Sequence, residues 1–166
     1  KKKKPQVLFQ DISPVGYHAW SGRHVAMFIL GDPVTMVLTS AKERRDRIIA
    51  SNIGRTLKTV PGTKRIAFER TEEDGSQNIY ELTISEDQYK EDEFEKVINK
   101  PDNSNDWVIT MNGTYITSVG SKLLKFNPKQ DKSWNELMDL GDVGAKGISR
   151  MAVSPDNGRI AIVVNQ

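Results

Sequence analysis

The feature that most limits what this chain can fold into is an internal repeat. Short apolar segments recur, each just after a glycine: Val25-Ala26-Met27-Phe28 follows Gly22, Ile66-Ala67-Phe68 follows Gly62, Tyr115-Ile116-Thr117 follows Asn112-Gly113, and Ile160-Ala161-Ile162-Val163 follows Gly158. With Val25, Ile66, Tyr115 and Ile160 taken as equivalents, the spacings are 41, 49 and 45 residues. A period of roughly 40–50 residues is that of small β units, none of which can bury its apolar surface without a neighbour.

Further strands recur in step. Thr35-Met36-Val37-Leu38, Asn78-Ile79-Tyr80-Glu81-Leu82 and Lys122-Leu123-Leu124-Lys125-Phe126 form one set; Arg47-Ile48-Ile49-Ala50, Phe94-Glu95-Lys96-Val97-Ile98 and Asn135-Glu136-Leu137-Met138 form the next. They are short, rich in β-branched and aromatic residues, and bounded by Gly, Pro, Asn and Asp. Pro61-Gly62, Asp74-Gly75, Asn112-Gly113 and Asn157-Gly158 offer the positive φ that tight hairpins need. No stretch has a helical period; Asp87 to Glu95 is acidic enough for one turn but reads as a solvated loop. The pattern predicts an all-β chain, a β-propeller of four-stranded antiparallel blades. The blades fall at 13–54, 55–100 and 101–147, with a half-blade at 148–166, inside a propeller segment of 6–166. Val7-Leu8-Phe9-Gln10-Asp11-Ile12 resembles Ile48-Ile49-Ala50-Ser51-Asn52-Ile53 and reads as the last strand of a preceding blade. An arc of about three and a half blades exposes two edges, which predicts self-association or closure by missing blades of a longer chain.

Composition excludes several function classes. The chain has 166 residues and no cysteine, so disulfide scaffolds, thiolate zinc sites and a cysteine nucleophile are out. With only His18 and His24, a three-histidine site or an HExxH helix cannot form within it. The formal charge of +2 is owed to Lys1 to Lys4; the rest carries 20 basic against 22 acidic residues, which argues against a nucleic-acid-binding face. No apolar run approaches the roughly 18 residues of a membrane span. No signal peptide is apparent, and a start at Lys1 rather than Met reads as processed or truncated. Residues 1–5 are expected to be a disordered basic segment, since adjacent lysines repel one another. The run reads equally as a linker remnant, a polyanion contact or an artefact.

Ser154-Pro155-Asp156-Asn157-Gly158-Arg159-Ile160-Ala161 resembles the S-P-D-G-x-x-I-A signature of TolB-like, WD40-like (PD40) β-propeller proteins, with Asn157 inserted before the glycine. Ser13-Pro14-Val15-Gly16-Tyr17-His18-Ala19-Trp20, Asn52-Ile53-Gly54-Arg55-Thr56-Leu57 and Lys146-Gly147-Ile148-Ser149-Arg150-Met151-Ala152-Val153 are similar to segments in the C-terminal half of such proteins. The resemblance implies a ring of six or seven blades, an exported or periplasmic location and no assigned reaction. Trp20-Ser21-Gly22, Val60-Pro61-Gly62 and Met111-Asn112-Gly113 lack the SPD triplet.

In a propeller the innermost strands line a central channel. The loops entering them hold Tyr17 and His18, Arg55 and Thr56, Asp106 and Trp107, and Lys146 and Arg150. Guanidinium forks, an imidazole, a carboxylate and aromatic surfaces in one ring suit a carboxylate, a sugar or a peptide terminus. Tyr17, His18, Arg55, Asp106, Trp107 and Arg150 are therefore the candidate ligand-binding residues. The ordinary alternative is that Tyr17, Trp20 and Trp107 pack between blades while Arg55 bonds loop carbonyls. His18 lacks a serine in a nucleophile elbow and reads as structural rather than catalytic; His24, at a strand start, is expected to be exposed.

Other motifs carry less. Glu72-Glu73-Asp74, Glu86-Asp87 and Glu91-Asp92-Glu93 fall in blade-two loops and read as a solvated face rather than a glycosidase pair. No calcium loop is present, and Asp156-Asn157-Gly158 reads as a turn. Gly141-Asp142-Val143-Gly144-Ala145-Lys146-Gly147 lacks phosphate-loop spacing and reads as an inter-blade connection. Asn112-Gly113-Thr114 is a formal glycosylation sequon inside a hairpin. No catalytic residue, metal site or cofactor is assigned. The leading reading is a non-enzymatic module whose channel-facing loops bind a protein or a small polar or anionic ligand, without nucleic acid. The alternative is an accessory propeller of a hydrolase or peptidase that gates or binds substrate, or a channel-mouth hydrolase using His18 with Asp106; fold alone does not separate them.

Overall fold

The computed structural model describes Lys4 and residues 7–40, 42, 45–85 and 92–164. Strands β1 (Val15–Ser21), β2 (His24–Ile29), β3 (Thr35–Ser40) and β4 (Arg47–Ser51) form one antiparallel sheet in sequence order. The same order recurs in β5 (Ile53–Thr59), β6 (Arg65–Thr71), β7 (Gln77–Thr83) and β8 (Glu93–Asn99), and in β9 (Trp107–Ile109), β10 (Tyr115–Val119), β11 (Lys122–Phe126) and β12 (Asn135–Asp139). A two-stranded sheet, β13 (Ile148–Val153) with β14 (Ile160–Val164), follows. Three blades and half of a fourth stand face to face, with β1, β5, β9 and β13 adjacent along the inner side.

Alternation along the strands explains the stacking, because successive side chains leave opposite faces of a sheet. On β6, Ile66 and Phe68 face blade one, joining Ala26, Phe28, Met36 and Leu38 in a buried cluster. Ala67, from the opposite face, joins Ile79, Trp107, Ile109 and Tyr115 of the next cluster. Val108, Ile116 and Leu123 then turn toward Ile148 and Met151.

Blade two also carries two buried carboxylates on the face it turns to blade three. Glu69 is paired with Lys100 at 3.0 Å and accepts the Trp107 indole N–H at 3.1 Å. Glu81 accepts the Tyr115 hydroxyl at 2.5 Å and pairs with Arg65 at 2.5 Å. Each charge is thus matched across or beside the blade interface, as buried charges must be. Gly54 makes room for the first of these: a Cβ there would lie 2.0 Å from Glu69 Oε1 and 2.2 Å from its Cγ.

Several sequence expectations change. Val7 to Ile12 form no strand; Val7 and Leu8 are exposed, and Phe9 leans on Trp20 with ring centroids 6.4 Å apart. A lone outer-type strand has no third strand here to pair with. β5 begins at Ile53, so the first blade stops at a corner where Asn52 holds φ 58°, two residues before the boundary at 54. His24 is buried rather than exposed. In the last hairpin the left-handed residue is Asn157 (φ 58°), in the place that Gly113 (φ 82°) takes one blade earlier. The 141–147 connection contains a single 3₁₀ turn, Gly141–Val143. Residues 1–3, 5, Glu86, Asp87 and Glu91 lie outside the described residues. Among the described residues no helix is long and apolar enough to cross a membrane.

Two outcomes test this packing. Gly54→Ala should lower stability by about 3 kcal/mol or more, because Glu69 must leave Lys100 and Trp107 to admit the methyl; urea denaturation measures it. Burial, with the Glu81 carboxylate beside it, holds the Tyr115 phenol protonated far above its ordinary pKa of 10.0. The unfolded chain loses that proton near pH 10 while the folded chain keeps it, so stability should fall as pH rises past 10. Tyr115→Phe should make that alkaline fall shallower in denaturation midpoints taken from pH 9 to 11.5, and a slope equal to that of the parent would contradict it.

Candidate functional site

The repeat registers place Tyr17, Thr56, Asp106 and Arg150 at one equivalent position, two or three residues into the inner strand or, for Asp106, just before it. Trp20 pairs with Val25, Thr59 with Ile66, Ile109 with Tyr115 and Val153 with Ile160, and the four lie three residues upstream of those inner partners. The ladder is irregular there in three blades, between Val15 and Tyr17, Ile53 and Leu57, and Ile148 and Arg150. Bulges re-aim side chains and add local twist, so the residues at this level leave the regular alternation.

They converge on a cavity of about 240 Å³ lined by Tyr17, His18, Arg55, Thr56, Asp106 and Arg150, with Leu57, Lys58 and Met151 completing the wall. Tyr17 and His18 are exposed, Arg55 and Arg150 half-buried, Thr56 and Asp106 buried. Tyr17 rests edge-on against Phe28, ring centroids 5.6 Å apart. The Arg55 guanidinium donates to the Asn105 and Ser149 carbonyls, each at 3.3 Å, and Arg150 donates to Ser149 O at 2.8 Å. A guanidinium has five N–H donors, so these contacts leave donors over.

Asp106 is used inward. Its Oδ1 accepts the Thr56 hydroxyl at 3.1 Å, and its Oδ2 accepts the Met151 backbone N–H at 2.8 Å. Its own carbonyl accepts the Thr117 hydroxyl at 2.9 Å. One residue therefore joins inner strands of blades two, three and four, and both carboxylate oxygens are engaged away from His18.

Of the six residues expected at the site, five line this cavity. Trp107 does not: it is fully buried between blades two and three with its N–H on Glu69, the ordinary packing role. The five also sit in or beside the inner strands rather than in loops, apart from Asp106, which immediately precedes β9. Lys146 is exposed and does not line the cavity. Sequence reasoning missed Leu57, Lys58 and Met151, although each follows a ring residue directly or by two positions. It also missed a larger groove of about 860 Å³ at the other end of the same strands, by the Pro61-Gly62 and Asn112-Gly113 turns, with Lys96, Lys129, Lys132, Glu95 and Asp131 in its lining.

The crystal structure of TolB from Acinetobacter baumannii superposes on this chain with a TM-score of 0.70 at 16% identity, over 98% of this chain and 41% of that one. The fold is TolB-like. It is an all-β propeller arc of about three and a half blades, and it spans about two fifths of the length of that TolB chain. No protein-family model matches the sequence, and no curated protein does. The likeness to TolB is one of structure.

Removing the tie at the centre of this TolB-like arc should be costly. Asp106→Ala leaves a buried hydroxyl and a buried N–H without acceptors, and should cost about 2–4 kcal/mol in urea denaturation. Thr56→Val, which removes only one of the two bonds, should cost less than half as much.

Proposed function

We propose that this chain is a non-enzymatic binding module whose inner-strand cavity takes a carboxylate or similar anionic group, carried by a protein segment or a small polar ligand. The observation that carries the reading is the convergence of Tyr17, His18, Arg55 and Arg150 on one cavity floored by Thr56 and Asp106. Two always-charged forks with spare donors at the rim suit a planar carboxylate, and Tyr17 adds an aromatic wall. Asp106 supports binding over hydrolysis, because its oxygens are committed to Thr56 and Met151 and leave His18 without that orienting partner. An exported location belongs to the same proposal and rests on the resemblance of the Ser154–Ala161 segment.

The test uses tripeptides with free and with amidated C-termini. Free termini should bind and amidated ones should not. Arg55→Ala with Arg150→Ala should weaken binding at least about 10-fold while lowering stability by less than about 1 kcal/mol, since the lost contacts are made by partly solvated side chains. Binding that survives the double change removes the site assignment. Unfolding of the double variant returns both arginines to a purely structural role.

A further inference from the structure

We infer, resting on the reading of the inner-strand cavity as a carboxylate site, that its ligand carries two acidic groups and that Lys58 selects for the second. Burying a basic side chain, even in part, strips water from a charge that then requires an opposite charge or strong hydrogen bonds. The half-buried and buried lysines and arginines among the described residues fall into two groups. Four are ion-paired: Arg47 with Asp92 at 2.9 Å, Arg65 with Glu81 at 2.5 Å, Arg70 with Glu72 at 3.7 Å and Lys100 with Glu69 at 3.0 Å. The other three, Arg55, Lys58 and Arg150, are in no ion pair, and all three line the same cavity.

Arg55 and Arg150 donate to neutral carbonyls, those of Asn105 and Ser149. The Lys58 ammonium has neither a hydrogen bond nor an ion pair among the described residues. Asp106, the one carboxylate in the lining, is in no ion pair with any of the three, and its oxygens accept from the Thr56 hydroxyl and the Met151 N–H. The lining thus holds three fixed positive charges against one negative. A single carboxylate on the ligand leaves an excess positive charge, and a second acidic group balances it.

The spacing suits two groups on one small ligand. Arg55 lies within the irregular stretch of β5, while Lys58 is back in the ladder opposite Ala67. Three residues of strand separate them, at most about 10 Å between Cα atoms. Long side chains at that spacing reach two acids set a few carbons apart, as in glutarate or a C-terminal glutamate residue. The arginine forks suit a planar carboxylate, and the lysine ammonium, a point charge with rotatable donors, takes the second group without demanding one orientation. The cavity, at about 240 Å³, is smaller than the roughly 300 Å³ at which drug-sized sites begin, which suits a terminal residue or a small diacid.

Isothermal titration with the tripeptides Gly-Gly-Glu and Gly-Gly-Gln, both with free C-termini, and with glutarate tests it. The two peptides differ by one charge at nearly constant shape. Gly-Gly-Glu should bind about 5-fold tighter or more, as a charge-assisted contact in a partly solvated site provides. Salt should narrow the difference, because the charges are not fully buried. Lys58→Gln should bring the preference below about 2-fold, and Lys58→Arg, which keeps the charge, should retain it. With that preference in place, glutarate binding as tightly as Gly-Gly-Glu identifies a free diacid as ligand, and weaker glutarate binding identifies a peptide end. Lys58 has no side-chain bond to lose, so a Lys58→Gln protein with a lowered urea midpoint would assign the residue to the fold and overturn its role in selection. Equal binding of the two peptides, or a preference that survives Lys58→Gln, overturns that role and leaves the single-carboxylate reading intact. Failure of all three ligands to bind overturns the carboxylate reading itself.

Discussion

The Asp106 carboxylate is the tie on which the inner side of this arc depends. Blades stack through apolar clusters, and apolar contact is non-directional; sheets in such contact can slide by a residue with little penalty. The two hydrogen bonds of Asp106, to Thr56 of β5 and to the Met151 N–H of β13, are directional and buried. They set the height of three inner strands relative to one another. The cavity lined by Tyr17, His18, Arg55 and Arg150 lies at that height.

Blade two repeats the device further out. Glu69 and Glu81 lie on neighbouring strands, β6 and β7, and both face blade three, where Trp107 and Tyr115 donate to them. Removing two carboxylates from water is unfavourable, and the pairs with Lys100 and Arg65 offset that. The gain is in register rather than net stability: the indole and the phenol reach their acceptors in one arrangement only. The blade one to blade two interface has a large apolar cluster, with Phe68 stacked on Tyr80 and Phe94 set edge-on to both. Its polar links include Thr59 to the Trp20 carbonyl and Arg47 to Asp92.

Repetition also explains why the site is polar and varied while the core is not. Positions inside the blades are constrained alike in every repeat, and the equivalent positions hold Val25, Ile66, Tyr115 and Ile160. The level of Tyr17, Thr56, Asp106 and Arg150 lies on the inner side of the arc, where these residues line a cavity instead of an apolar blade-to-blade cluster. Bulges at that level release the residues from the alternation. An aromatic, a hydroxyl, an acid and a base therefore occupy one repeat position without disturbing the sheets.

Strand period, turn chemistry and the spacing of Val25, Ile66, Tyr115 and Ile160 were enough to determine the all-β class, the four-stranded units and their order, because strands and turns depend on neighbours within a few residues and the spacing repeats along the chain. The turn at Ser154-Pro155-Asp156 was legible for the same reason: Ser154, Asp156 and Gly158 bond within five residues of one another. What the polar residues do was decided by tertiary structure. Trp107 and Asp106 are adjacent in sequence, yet one is sealed against Glu69 and the other joins three strands beside the cavity. His24 reads as a polar strand start and is buried, while Val7 to Ile12 read as a strand and have no third strand to pair with. A strand and a side-chain partner both require a second segment at the right distance. That distance is set by how the blades stack across long stretches of chain, as in Thr56 to Asp106 and Arg55 to Ser149, separated by 50 and 94 positions.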